Sequence, residues 1–178
     1  MVPGVRGGTA GALALLALLV YLLLAGGEGP GGTEAGPGGG AEAARAPVSA
    51  PVLRVVDGDT IVVGLGGDEE DVRYIGVDTP ETVKPGEPVQ CFGPEASAFN
   101  RDLVAGETVR LVFDRELRDA YGRLLAYVHV GGRFVNAALV RGGYARTLEI
   151  PPNTDRAALL ARLERRAGES GAGLWGTC

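Results

Sequence analysis

From residue 48 onward the chain places apolar and polar residues in short runs, and these runs predict strands. Residues 50–56, 60–65 and 71–77 are rich in Val, Ile and Tyr, side chains that pack well on a pleated surface. Gly66-Gly67-Asp68 supplies the tight turn between the second and third runs. Residues 84–92 carry Pro85, Gly86 and Pro88 and predict a loop. Pro94 suits the first turn of a helix and Glu95 its amino end; Ala96, Phe99 and Leu103 follow at helical spacing, and Gly106 ends the helix. Strands are predicted again at 108–114 and 124–130, either side of the polar stretch 115–122. Residues 134–141 predict a short helix closed by Gly142-Gly143. Asn153 or Thr154 can cap a last helix whose apolar stripe is Leu159, Leu160, Leu163 and Ala167, and Trp175 is expected to pack the tail onto the body.

Five short strands interrupted by one helix, with further helices after the fifth, predict an α+β fold that is mainly β. The expected form is a five-stranded Greek-key barrel of the oligonucleotide-binding (OB) type with three helices. No internal repeat is visible.

The first 46 residues read differently. Residues 9–25 are uncharged and mostly Ala, Leu and Val, behind a short segment whose side-chain charge is Arg6. An apolar run without a polar face predicts an export signal or a membrane anchor, so residues 1–25 are assigned to one of the two. About 16 apolar residues at ~1.5 Å each reach ~24 Å, short of the ~30 Å hydrocarbon core. Ala25-Gly26-Gly27 offers a small-residue cleavage site, and retention would leave the rest of the chain outside, tethered through residues 9–25. Either way the expected location is extracellular. Residues 26–46 are dominated by Gly, Ala, Pro and Glu and predict a flexible linker, leaving 47–178 as one domain with its own core.

Charge narrows the function. Across 178 residues, Asp and Glu outnumber Lys and Arg by 22 to 17, a net charge of −5. A protein holding nucleic acid through a broad basic patch would carry the opposite sign. Any such contact here must be local, made by a few arginines with a metal offsetting the acids. His129, the single histidine, lies in a predicted strand and reads as a packing residue.

The polar residues inside the apolar runs carry the chemistry. Asp57, Asp59 and Thr60 fall at one strand edge, and Arg73, Asp78, Thr79 and Glu81 in or after another. Singly, each acid has an ordinary explanation as a turn residue or a solvated strand-end charge, and Arg123 as a surface strand start. Arg73 does not, because a guanidinium in an apolar strand needs partners: an unpaired buried charge costs several kcal/mol. Together, carboxylates and arginines at the mouth of a barrel suit a hard cation and a phosphate.

Those residues stand in recognisable blocks. Asp57-Gly58-Asp59-Thr60, Arg73 with Val77-Asp78-Thr79-Pro80-Glu81, Phe92-Gly93-Pro94-Glu95-Ala96, and Asp119-x-Tyr121-Gly122-Arg123-x-Leu125-Ala126-Tyr127 resemble the staphylococcal nuclease (thermonuclease) family. Val135-Asn136-x-x-Leu139-Val140-x-x-Gly143 extends the likeness, which runs from about Val52 to Trp175. The resemblance implies a monomeric, Ca2+-dependent phosphodiesterase that cuts DNA and RNA, single strands by preference, with low sequence specificity and leaves 3′-phosphate ends. It implies Asp59, Asp78 and the Thr79 backbone carbonyl as calcium ligands, Glu81 as the group that orients or deprotonates water, and Arg73 and Arg123 on the scissile phosphate. Tyr121 is the implied substrate contact.

Two departures stand out. Position 120 is Ala where relatives often carry lysine, and residues 147–151 lack the family's tyrosines. Given export, a Cys91–Cys178 bridge that pins the tail beside the Glu81 loop is favoured over two unrelated thiols. The rival to an enzyme is a non-catalytic OB-fold module that binds nucleic acid or protein, and the retention of all five charged site residues weighs against it.

Overall fold

The computed structural model describes residues 46–82, 86 and 88–178. Residues 1–25, expected to be an export signal or membrane anchor, and residues 26–45 of the expected linker lie outside the described residues. Among the described residues, no helix is long and apolar enough to cross a membrane.

The strands are β1 (Val48–Val55), β2 (Thr60–Leu65), β3 (Asp68–Tyr74), β4 (Gly76–Asp78), β5 (Thr108–Val112), β6 (Leu124–Val130), β7 (Arg133–Phe134) and β8 (Arg146–Leu148). The helices are α1 (Gly93–Val104), α2 (Val135–Arg141), α3 (Ala157–Ser170) and the one-turn α4 (Leu174–Thr177). The larger sheet runs β3-β2-β1-β5-β6-β7, and a further β3–β6 pairing closes β1, β2, β3, β5 and β6 into a barrel. All barrel pairings are antiparallel except β3–β6, which is parallel. This is the predicted OB-type barrel with three main helices. Its interior is filled by alternate side chains of the strands, including Ala50, Ile61, Val63, Val72, Leu111 and Val128, with Leu139 and Leu160 packed on from α2 and α3.

The structure departs from the sequence reading at three places. The run read as one strand over 71–77 is two. Gly76 takes φ 78°, a left-handed conformation that a residue with a Cβ adopts only with strain, and the chain bends there. A Cβ at that position would also meet Leu160 Cδ1 at 2.6 Å. The bend lets β4 leave the barrel and pair with β8, a strand too short to show any period. Second, neither Asn153 nor Thr154 caps α3: Arg156 occupies the cap position without a side-chain hydrogen bond. The Asn153 side chain is instead spent on the loop before β6, accepting the Glu116 N–H at 2.7 Å and donating to its carbonyl at 2.8 Å. Third, α4 adds a turn of helix that holds Trp175, whose ring lies 4.3 Å beneath the Arg146 guanidinium.

Buried polar residues tie barrel to helices. Asn136, fully buried at the start of α2, accepts the Val128 N–H of β6 at 2.9 Å and donates to the Ile75 carbonyl at 2.8 Å, beside the β3–β4 bend. Burial pushes the Tyr74 phenol far up, so it stays protonated and donates to Asn100 Oδ1 of α1 at 3.0 Å. Asn100 in turn donates to the Asp57 carbonyl at 2.9 Å. His129 stacks on Phe134 at 4.8 Å, and burial, then Arg110 and Arg156, push its pKa down. It is a packing residue. Cys91 and Cys178 are paired as a disulfide with Cα atoms 6.0 Å apart.

Replacing Asn136 with Ala leaves the Val128 N–H and the Ile75 carbonyl buried without partners, which is expected to cost about 2–4 kcal/mol. Urea denaturation of the Asn136→Ala variant measures it, and an unchanged midpoint would contradict the assigned role.

Candidate active site

Strand register assembles the site. In the β2–β3 pairing Thr60 lies opposite Arg73, so Asp59, one residue before β2, sits against the end of β3. The Tyr74 N–H donates to the Asp59 carbonyl at 3.0 Å and fixes that approach. The bend at Gly76 then carries Asp78 and Thr79 back over Asp59. Arg123 comes from the third direction, immediately before β6, whose Leu124 pairs with Val72 of β3.

The result is a polar cavity of about 190 Å³ walled by Asp57, Asp59, Thr60, Arg73, Asp78, Thr79, Pro80, Glu81 and Arg123. It gathers the predicted catalytic residues Arg73, Glu81 and Arg123 with the predicted metal ligands Asp59, Asp78 and Thr79. Tyr121 lies outside this cavity. It is 86% exposed, with its ring centre 5.6 Å from the Arg123 guanidinium carbon.

Arg73 binds the parts together. Its Nε lies 3.2 Å from Asp59 and one terminal nitrogen 3.1 Å from Asp78. The other donates to the carbonyls of Tyr74 at 2.9 Å and Val77 at 2.7 Å, which only the Gly76 bend brings together. Asp59 is oriented from its other side by the Thr79 N–H at 2.8 Å and hydroxyl at 3.0 Å. Arg123 is held by a residue that the sequence offered only as part of a motif. Asp119 accepts from Nε at 2.7 Å and from the Arg123 N–H at 3.0 Å. Burial works to raise the Asp119 carboxyl, yet the Arg123 hydrogen bonds outweigh it and hold the pKa below the ordinary range. The terminal nitrogens of Arg123 make no hydrogen bond or ion pair with a described residue, and Arg123 lines the cavity.

Asp57 is a wall residue with a different environment. Burial first, then the negative charge of Asp59, push its pKa up to about 6. Its Oδ1 accepts the Asp59 N–H at 3.0 Å, closing the turn through Gly58. Four carboxylates, those of Asp57, Asp59, Asp78 and Glu81, thus face two guanidiniums, and the surplus suits a divalent cation. Among the described residues no group of three or more His, Cys, Asp or Glu side chains is arranged to hold a metal ion on its own. A cation in this cavity would draw on Asp59 and Asp78 together with backbone and water oxygens.

A second cavity of about 370 Å³ shares Arg73 and Arg123 and is lined further by Leu125, Ala120, Leu148 and Ile150, with Glu116, Asp119 and Asn153 also on it. Ala120, Leu148 and Ile150 line it where the resemblance leads one to expect tyrosines and a lysine.

A family model for staphylococcal nuclease homologues matches residues 71–177. The chain belongs to the staphylococcal nuclease family. It is 45% identical over 124 residues to a thermonuclease of Staphylococcus intermedius, spanning 70% of this chain and 74% of that protein. To a thermonuclease of Staphylococcus hyicus it is 42% identical over 124 residues, 70% of this chain and 73% of the relative. It is also similar to a prophage-derived endonuclease of Bacillus subtilis, 43% identical over 68% of this chain but only 42% of that longer protein.

Gly58 gives this nuclease a sharp test of the acid pocket. A Cβ there would stand 2.7 Å from both Cγ2 and Oγ1 of Thr79, the residue that orients Asp59. Gly58→Ala is expected to lower activity by about tenfold or more, since small displacements of positioning groups are costly. Activity measured against divalent-cation concentration checks it, with a shift to higher concentrations expected and a wild-type curve contradicting the role of Thr79.

Proposed function

We propose that this nuclease is an exported, monomeric, Ca2+-dependent phosphodiesterase that cuts DNA and RNA, single strands by preference, with low sequence specificity and leaves 3′-phosphate ends. What carries the reading is the convergence of Arg73, Arg123, Glu81, Asp59 and Asp78 on one small polar cavity. Each has a different part in the task, and a binding-only barrel would need Asp59 and Asp78 to pair Arg73 but not Arg123 and Glu81 on the same cavity.

A phosphodiester is an anion that repels incoming hydroxide, and its transition state gathers further charge on the equatorial oxygens. Arg123 offers its terminal nitrogens to those oxygens, with Asp119 holding the fork in a fixed plane. Arg73 also lines the cavity, but its Nε and one terminal nitrogen are taken by Asp59 and two backbone carbonyls, so it adds its charge and only the nitrogen beside Asp78. Preset cationic donors of this kind commonly supply the largest part of a rate enhancement, because no reorganisation is needed as charge develops. Asp59, Asp78 and the Thr79 carbonyl would hold the calcium ion, which when bound adds positive charge beside the phosphate and polarises a water. The Glu81 carboxylate, which also lines the cavity and accepts the Thr82 N–H at 2.7 Å through one oxygen, would orient an attacking water and accept its proton.

The adjoining cavity and the exposed Tyr121 ring are the surfaces offered to a base. Apolar contact and stacking on one ring do not discriminate between bases, in keeping with low sequence specificity. Export, by secretion or by a tether through residues 9–25, is supported by the apolar amino-terminal run and by cysteines placed to pair, as suits an oxidising compartment.

Purified protein incubated with single-stranded DNA and calcium is expected to cut it, and an excess of chelator to abolish cutting. Arg123→Ala is expected to fold normally and to lose about 10²–10³ in turnover. Cutting that survives chelation would remove the metal, and near-normal turnover by Arg123→Ala would remove the phosphate role. Strand binding without cutting under any condition would favour the non-catalytic module.

A further inference from the structure

We propose that Gln90, anchored by the Cys91–Cys178 bridge, is a positioning residue for Glu81, so that turnover depends on the cysteines being oxidised. The inference rests on the reading of Glu81 as the water-orienting group.

One residue takes both backbone polar groups of Glu81. The Glu81 N–H donates to Gln90 Oε1 at 3.0 Å, and the Gln90 N–H donates to the Glu81 carbonyl at 2.9 Å. The two form a closed two-bond clamp across the base of the loop, which fixes where the Glu81 Cα stands and hence where its carboxylate can reach. The adjoining turn is keyed to the same segment: the Gly93 N–H donates to the Gln90 carbonyl at 3.0 Å. A Cβ on Gly93 would stand 2.7 Å from Thr82 Cγ2 and 3.0 Å from the Glu81 carbonyl oxygen, so the two strands of chain are in close contact. Unlike Arg73 in β3 and Asp78 in β4, neither Glu81 nor Gln90 lies in a strand or helix.

What holds Gln90 is its neighbour. Cys91 is bonded to Cys178, 87 positions away. Cys178 is itself fixed, its N–H donating to the Leu174 carbonyl at 3.0 Å while the Leu174 N–H donates to the Gly143 carbonyl at 2.9 Å at the end of α2. Phe92, between Cys91 and the helix, is the one non-glycine among the described residues with positive φ, at 68°. That conformation is strained for a bulky residue and persists only where its surroundings enforce it. The bridge on one side and stacking on Tyr144 at 5.5 Å on the other are what enforce it here. Reduction releases one of these ties, and the segment that carries Gln90 loses its fixed relation to Glu81. A reduced chain, such as one not yet exported, is then a weak nuclease, and bridge formation raises its activity.

Full-length protein and three sets of variants test this, with turnover measured well below each melting midpoint. Gln90→Leu keeps the side-chain bulk but cannot accept a hydrogen bond. It is expected to lower kcat by about 10- to 100-fold, with KM and the calcium dependence nearly unmoved. Gln90→Glu, which restores an acceptor, is expected to recover most of that loss. The double variant Cys91→Ser with Cys178→Ser, and wild type under reductant, are expected to lose kcat in the same way. Placed on Glu81→Gln, which alone is expected to be slow, Gln90→Leu should add nothing, because the group it positions has already been disabled.

Full turnover by Glu81→Gln would sink the reading of Glu81 itself. A slow Glu81→Gln beside an unaffected Gln90→Leu would leave that reading standing and overturn the positioning role. Additive losses in the combined variant would also overturn it, since a residue acting only on stability does not depend on Glu81. Retained turnover in the double cysteine variant or under reductant would overturn the dependence on oxidation.

Discussion

Arg73 is a guanidinium in the wall of a small barrel, its side chain only 14% exposed. A charge in that position destabilises the fold by several kcal/mol unless it is paired and its donors are satisfied. The partners come from three places that the chain must bring together: Asp59 before β2, Asp78 at the end of β4, and the carbonyls of Tyr74 and Val77 either side of the Gly76 bend. Closing the barrel and assembling the acid pocket are therefore the same event. A fold that formed without this pocket would leave the guanidinium unmatched, so the site is a condition of stability as well as a product of it.

The charge balance then decides how such a nuclease can hold its substrate. With a net charge of −5, the long-range field does not favour a polyanion, and release of counterions from many phosphate contacts is not available as a driving force. Arginines outside the site are partly committed to acids, as Arg118 is to Glu70 at 2.8 Å and Arg54 to Glu69 at 2.6 Å. Affinity must come from a few contacts at the cavity, where two guanidiniums and a cation act over a few ångströms. The adjoining cavity offers further surface through Leu148, Ile150 and Ala120, beside the polar Glu116, Asp119 and Asn153.

Much of this was legible in the sequence, and the exceptions have physical causes. Strand periodicity located the barrel because its interior faces are apolar at alternate positions, and the α1 and α2 boundaries followed from Pro94, Gly106 and Gly142. The split of β3 from β4 was hidden because apolar residues continue through Gly76, and only the backbone conformation reveals the bend. β8 was hidden because three residues carry no period. The wrong cap for α3 arose because Asn153 fits a helix start and a loop staple equally well by residue type. At the site, the five charged residues could be named because acids and arginines inside apolar runs are costly and so informative. Asp119 was visible only as a neighbour in a motif, and its grip on Arg123 needed the loop geometry. Gln90 gave no signal, since a neutral amide in a loop costs nothing and its value lies in the backbone it meets.

The site is thus built in two halves of different kinds. Asp59, Asp78 and the arginines are positioned by strand register and by a bend locked in the core, so their geometry persists as long as the barrel does. Glu81 hangs on a loop, and loops open locally at free energies well below that of the whole domain. A water-orienting group cannot tolerate that freedom, because its contribution depends on being within hydrogen-bond reach at the moment of reaction. A long-range tie from the carboxy terminus raises the local opening energy of this loop without enlarging the core, which a domain of this size has little room to do. The cysteines are best understood in that light: the barrel is cohesive enough to fold around Arg73, and the bridge extends the same order to the one acid that the barrel cannot reach.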